Sequence, residues 1–261
     1  MHGILFDLDG VFYIGDRIIP GTLETLAWVR AQAIPHLFLT NTTSRPRSAL
    51  VEKLTHLGLP IQKDLLLTPA IVALDWIRQH TGGKISLFVA EATRCEFAEL
   101  DSIGVAAIDP VDAVVVGDLG EAWDFKTLNR AFRLLMTQPP PALIALGMTR
   151  YWRAPDGLRL DTAPFVVALQ HASGIAPIVL GKPAKGFFDA AIHRLGCSAV
   201  ETIMVGDDIR GDIEGAQRAG IRGILVSTGK FQPSDLTLGI QPAAVLSSIA
   251  DLPAWWELQG W

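Results

Sequence analysis

Two carboxylates end the first apolar run of the chain: Ile4, Leu5 and Phe6 lead into Asp7, Leu8, Asp9 and Gly10. Such a run reads as a strand buried on both faces of a parallel sheet. Ligands of open α/β sheets bind beyond the carboxyl ends of the strands. Carboxylates in a dry place need a balancing cation, and Mg²⁺ prefers oxygen ligands. The same pattern recurs. Leu37-Phe38-Leu39 ends in Thr40 and Asn41, and Ile178-Val179-Leu180 in Gly181-Lys182. The run 202–205 ends in Gly206, Asp207 and Asp208, with Asp212 close behind. If these strands are neighbours, acids, a hydroxyl, an amide and a lysine converge on one edge. That inventory suits a phosphate held against Mg²⁺, with Lys182 sharing its charge and Thr40 and Asn41 donating hydrogen bonds. No histidine or cysteine ends any of these runs, so the remaining nucleophile is a carboxylate, which can form an aspartyl-phosphate.

Each residue alone has a plainer reading. Asp9-Gly10 is a common turn pair, and Thr40 or Asn41 could cap the helix that follows. Lys182 before Pro183 could be a solvated turn lysine, and Asp212 an acid at a helix start. It is the four groups together, in order, that point to one site.

The elements needed to position them are legible as alternating strand and helix, which implies a parallel sheet. Helices are expected over residues 22–33, 44–58, 69–80, 125–136, 165–171, 187–195 and 213–219. Further strands are expected at 85–89, 113–116, 142–146 and 224–226, and a hairpin around Asp156-Gly157. With 261 residues, 49% hydrophobic, one large domain or two small ones fit. A net charge of −5 without a basic block speaks against nucleic acid or an anionic membrane as partner. The two cysteines, Cys95 and Cys197, match no zinc or redox spacing. With neither a signal-peptide pattern nor a long apolar stretch, a cytoplasmic protein is expected. Trp255, Trp256 and Trp261 form an aromatic tail expected to pack on the sheet.

Taken together, Asp7-Leu8-Asp9-Gly10-Val11, Thr40-Asn41, Gly181-Lys182-Pro183 and Gly206-Asp207-Asp208 with Asp212 resemble the four motifs of the haloacid dehalogenase superfamily of phosphatases. The closer resemblance is to the NagD-type subclass. Within it, the segment from Met204 to Asp235 resembles the phospholysine phosphohistidine inorganic pyrophosphate phosphatases and their haloacid dehalogenase-like hydrolase domain-containing relatives. The resemblance implies that Asp7 is nucleophile and Mg²⁺ ligand. It implies that Asp9 ligates Mg²⁺ through its backbone carbonyl while its side chain serves as general acid, then base. Thr40 and Asn41 would hold phosphate oxygens, Lys182 would neutralise charge, and Asp207 would ligate Mg²⁺. Asp212 would orient Lys182 or a metal-bound water, and Asp208 would stand behind the ligands or at the surface. The resembled phospholysine and phosphohistidine phosphatases commonly carry Ser where this chain has Asp9. That departure favours a competent phosphomonoesterase over direct transfer from phosphohistidine or pyrophosphate.

Between Thr43 and Lys182 lie 138 residues, too many for a helix or two of a doubly wound core. About 100 of them are enough for a small domain. The expected fold is therefore an α/β Rossmann-like doubly wound parallel sheet, residues 1–80 and 176–261, with an α/β cap inserted at 81–175. The resemblance implies that the cap covers the site and shapes substrate choice, with Arg150 and Tyr151 near the substrate loop. Arg150 could equally be a surface arginine of the hairpin. The resemblance also implies a homodimer through the cap. The expected activity is Mg²⁺-dependent hydrolysis of a small phosphorylated metabolite. Its rivals are a phosphotransferase or mutase with the same intermediate, and a non-catalytic phosphate-binding domain.

Overall fold

The computed structural model describes residues 2–154 and 156–261. The chain packs as two units. The first holds residues 1–40, 51–67 and 182–261; the second holds 41–50 and 68–181. The helix Pro69–His80, expected in the core segment 1–80, packs with the second unit, as do residues 176–181.

The first unit is built on a six-stranded sheet. Across it the strands run Leu66–Leu67, His36–Leu39, Gly3–Asp7, Thr202–Gly206, Arg222–Val226 and Ala244–Leu246, all parallel. In chain order this is 3-2-1-4-5-6, the doubly wound arrangement, and the order reverses at Gly3–Asp7. Ile4, Leu5 and Phe6 are fully buried there. Register follows: Phe6 lies beside Val205 and Phe38, and Asp7 beside Leu39. The residues just after these strands are thus delivered to one edge. Phe6, Phe12 and Phe38 pack ring to ring beneath that edge, with centroids 5.2–5.8 Å apart. Thr22 is the first residue of the helix Thr22–Ala31, and its buried hydroxyl donates to the Phe12 carbonyl at 3.1 Å. The tail packs on this unit, with Trp256 buried and Arg222 over the Trp261 ring at 4.3 Å.

The second unit has its own five-stranded sheet, again parallel. Its order is Ile178–Val179, Ala142–Ala145, Ala113–Val116, Lys84–Phe88, Asp101–Ser102. Phe88, Val114, Val116, Leu134, Leu143, Val166 and Leu169 form its core. Trp123 stacks between Phe88 and Phe165. The expected hairpin is present: Tyr151–Ala154 pairs with Gly157–Leu160. Its side chains Tyr151, Leu158 and Leu160 are exposed. The run 178–180 corrects the sequence reading. It pairs with Ala142–Ala145 in the second sheet and is not a strand of the first. Periodicity marks a strand but does not say which sheet it joins. Among the described residues no helix is long and apolar enough to cross a membrane.

Candidate active site

The carboxyl edge of the first sheet gathers Asp7, Lys182, Asp207 and Asp212, all buried. Oxygens of the three aspartates lie within 4.8 Å of one another. Asp7 ends the central strand. Asp207 follows its neighbour Thr202–Gly206, which pairs with it residue for residue. Lys182 arrives from the segment ahead of the helix Lys185–Leu195. Its Nζ donates to Asp7 Oδ1 at 2.7 Å and to Asp212 Oδ1 at 2.6 Å. The solvated-turn reading of Lys182 therefore does not hold, and neither does that of Asp212 as a mere helix-start acid.

Asp212 reaches the lysine because the chain after Asp208 makes a widened turn. Ile213 N donates back five residues to Asp208 O, and the turn Ile209–Glu214 precedes the regular helix Gly215–Arg218. Such turns recur at functional sites. Here the extra residue swings Asp212 fully inward, where its Oδ2 also accepts from Asp208 N at 3.2 Å. Asp208 caps the same turn: its Oδ1 accepts from Arg210 N and Gly211 N at 3.0 and 2.8 Å.

Asp207 is held by a loop the sequence reading passed over, Thr228-Gly229-Lys230. Lys230 N donates to Asp207 Oδ2 at 2.6 Å, and the Thr228 hydroxyl donates to the Gly10 carbonyl. Gly229 and Gly10, with φ of 60° and 88°, close over this oxygen; a Cβ on either would sit 2.0 Å from it. Asp207 Oδ1, in contrast, is buried with no hydrogen-bond partner. The ammonium of Lys230 lies 3.5 Å from Asp208 Oδ2. The signal that could have found this loop was the repeated pattern itself, since Ile224-Leu225-Val226 is one more apolar run with polar residues at its end.

The electrostatics follow from crowding. Burial, then repulsion from Asp7, pushes Asp207 up to about 7, against the Lys230 N–H. Burial and Asp7 push Asp212 up to about 6, against Lys182. Burial alone would lower Lys182, but Asp212 and Asp7 hold its pKa well above the usual lysine range. Asp9 is solvent-facing and outside the trio. Partial burial and Asp7 still raise its carboxyl, against Lys53 and Lys230. Asp208 stays low despite burial, through the N–H groups of Gly211 and Arg210 and the charge of Lys230. Three carboxylates around one lysine leave negative charge in excess. With Asp207 Oδ1 orphaned, the donor set fits a hard divalent cation.

Thr40 follows the strand beside Asp7, and its N donates to Leu67 O at 3.1 Å. The next helix starts only at Arg47, so neither Thr40 nor Asn41 caps it. Asn41 belongs by packing to the second unit, where its Oδ1 lies beside Gly181. Arg150 and Tyr151 are exposed at the base of the second unit's hairpin, the guanidinium 5.8 Å from the Tyr151 ring.

Comparison with known proteins agrees with this layout. Residues 4–103 match the model of the haloacid dehalogenase-like hydrolases, and residues 179–252 a second one, described as HAD-hydrolase-like. The chain is 36% identical over 239 residues to phospholysine phosphohistidine inorganic pyrophosphate phosphatase of Homo sapiens, covering 90% of this chain and 86% of the relative. It is 39% identical over 235 residues to haloacid dehalogenase-like hydrolase domain-containing protein 2 of Bos taurus, covering 90% and 87%. Among solved structures, a hypothetical protein of Pyrococcus horikoshii OT3 superposes with a TM-score of 0.89 at 26% identity, over 98% of this chain and 100% of that one. A 4-nitrophenylphosphatase of Thermotoga maritima superposes with a TM-score of 0.86 at 25% identity, over 97% of each chain. With strand order, converging carboxylates and relatives in accord, this chain belongs to the haloacid dehalogenase-like hydrolase family.

Proposed function

We propose that this phosphatase hydrolyses a small phosphorylated metabolite through an aspartyl-phosphate on Asp7, with Mg²⁺ as cofactor. The observation that carries the reading is the meeting of Asp7, Lys182, Asp207 and Asp212 at the switch point of the sheet. The Asp7 and Asp207 side chains and the Asp9 backbone carbonyl would hold the metal. Both oxygens of Asp212 are engaged, on Lys182 and Asp208 N, so its part is to position the lysine. When bound, Mg²⁺ supplies positive charge to the phosphoryl oxygens.

In the first half-reaction the Asp7 carboxylate attacks phosphorus. A bond from Asp7 oxygen to phosphorus forms, and the ester bond breaks. The leaving alkoxide takes a proton from the Asp9 carboxyl, whose pKa burial and the neighbouring Asp7 raise. In the second half-reaction the Asp9 carboxylate takes a proton from water as that oxygen attacks phosphorus. The bond to Asp7 breaks, releasing inorganic phosphate, freeing the Asp7 carboxylate and leaving Asp9 as the protonated carboxyl with which the cycle began. Lys182 offsets charge on Asp7 throughout, and Thr40 and Asn41 bind phosphoryl oxygens. Arg150 and Tyr151 contact the rest of the substrate, with residues 81–175 acting as the cap that limits water. The reading includes a cytoplasmic enzyme that pairs through its cap.

Phosphate release from p-nitrophenyl phosphate, measured with Mg²⁺ and with EDTA, tests this. Turnover should stop in EDTA, return with Mg²⁺, and be absent in Asp7→Asn protein of unchanged circular dichroism. Chelator-insensitive turnover, or turnover by Asp7→Asn, would refute the metal or the nucleophile. Product carrying the phosphoryl group on a second acceptor, without free phosphate, would indicate transfer instead.

A further inference from the structure

The second unit contains a cavity of about 990 Å³, walled by Val105, Ile108, Leu119 and Phe125 and by the arginines Arg94 and Arg130. Val105 and Phe125 are 70% and 83% exposed, so apolar surface is left facing this space. The volume is that of a small-molecule site, and apolar walls with a few convergent polar groups are the usual lining of one.

The charges in it are unbalanced. Arg130 projects from the helix Phe125–Leu135. Its Nε donates to Ala107 O at 2.8 Å, and its Nη2 donates to Ser86 Oγ at 2.9 Å and Gly104 O at 3.0 Å. Its guanidinium lies over the Phe88 ring at 4.8 Å. Every one of these partners is neutral. Among the described residues no carboxylate comes within ion-pair distance of Arg130, and its Nη1 has no protein acceptor. Arg94 faces the same cavity, with only the exposed Glu91 nearby, at 3.7 Å. Burial and the charge of Arg94 both lower the Arg130 pKa, as two cations side by side require. Lys126 and Arg133 add further positive charge, so four cationic side chains line the space against two carboxylates, Glu91 and Asp124, the latter accepting from Thr127 N at 2.7 Å. Paired, underused guanidiniums beside apolar walls are complementary to a molecule with an anionic head and an apolar body.

We propose that this cavity binds a small amphiphilic anion. Its carboxylate, sulfonate or phosphate lies on Arg94 and Arg130, and its apolar body lies against Val105, Ile108 and Phe125. None of these residues belongs to the acidic cluster, so the proposal does not rest on the phosphatase reading.

The test titrates the full chain with 8-anilino-1-naphthalenesulfonate, followed by fluorescence, and with its uncharged analogue N-phenyl-1-naphthylamine. The sulfonate should saturate one site. Arg94→Gln and Arg130→Gln should each weaken it about tenfold, the loss of one charge-assisted contact of roughly 1.4 kcal/mol. The uncharged analogue, lacking both contacts, should bind about a hundredfold more weakly and be insensitive to both variants. Arg130 also ties the 104–107 backbone, so circular dichroism accompanies its variant; Arg94→Gln breaks no backbone bond and decides the matter if Arg130→Gln unfolds. Equal affinity in wild type and Arg94→Gln, or no binding, overturns the proposal. So does binding that disappears as light scattering reports dimer formation, which would make this face an interface between copies.

Discussion

Removing the charge of Lys182 should cost stability before it costs catalysis. The ammonium is 6% exposed and sits 2.7 and 2.6 Å from two buried carboxylates. Lys182→Met keeps most of the side-chain volume but leaves Asp7 and Asp212 facing each other without compensation. Breaking a buried pair in this way costs about 3–5 kcal/mol. For a chain of this size that corresponds to a fall in Tm of roughly 6–20 °C. The measurement is thermal unfolding at pH 8 in EDTA, so that no divalent cation substitutes for the lysine. Asp212→Asn in the same background removes one of the stranded charges, so the double variant should lose less than the sum of the two single variants by at least about 1 kcal/mol. At pH 5 the Lys182→Met penalty should shrink, because one carboxylate can take up a proton. Additivity within about 0.5 kcal/mol, or a Lys182→Met protein as stable as wild type at pH 8, would show that the contacts carry no coupling and refute the electrostatic account.

Other outcomes follow from the same geometry. Asp9→Asn should lower kcat by about 10²–10⁴, the usual contribution of a general acid–base, with Tm nearly unchanged because the side chain faces solvent; full activity would remove Asp9 from proton transfer. Gly229→Ala places a methyl 2.0 Å from Asp207 Oδ2 on backbone of φ 60°, so Mg²⁺-dependent turnover should drop at least about tenfold; an unaffected rate would mean that the loop does not fix Asp207. Asp207 and Asp212 titrate at about 7 and 6 in the folded chain. Unfolded aspartates titrate near 3.9, so the folded state binds more protons between these values. In EDTA the Tm should therefore be highest near pH 4 and fall as pH rises from there to about 7, with a smaller fall in Asp207→Asn. A Tm that rises over that interval in EDTA would contradict the raised values.

How much of this was legible beforehand depended on the type of signal. Asp7, Thr40 and Asp207 could be placed because each follows an apolar run, and neighbouring parallel strands bring such ends together. Lys182 was placed on the wrong strand: the run before it joins the second sheet, and nothing in local patterning distinguishes one parallel sheet from another. The inward turn of Asp212 depends on one extra residue between Asp208 and the helix, which periodicity does not register. Thr228, Gly229 and Lys230 act mainly through backbone groups and close approach, so their chemistry is hidden in side-chain types that look like an ordinary loop. Arg130 was invisible for a related reason, since its neutral partners come from loop carbonyls that sequence alone does not bring near it.

The strand order also has a consequence for biosynthesis. Gly3–Asp7 is made long before Thr202–Gly206, one of its two flanking strands. The nucleophile candidate therefore spends most of translation unflanked on that side, while the sheet formed by residues between 84 and 179 has already emerged in full. Nascent chains stalled before Thr202 would carry the second sheet complete and the first open along its central strand, which is where chaperone protection would be needed most.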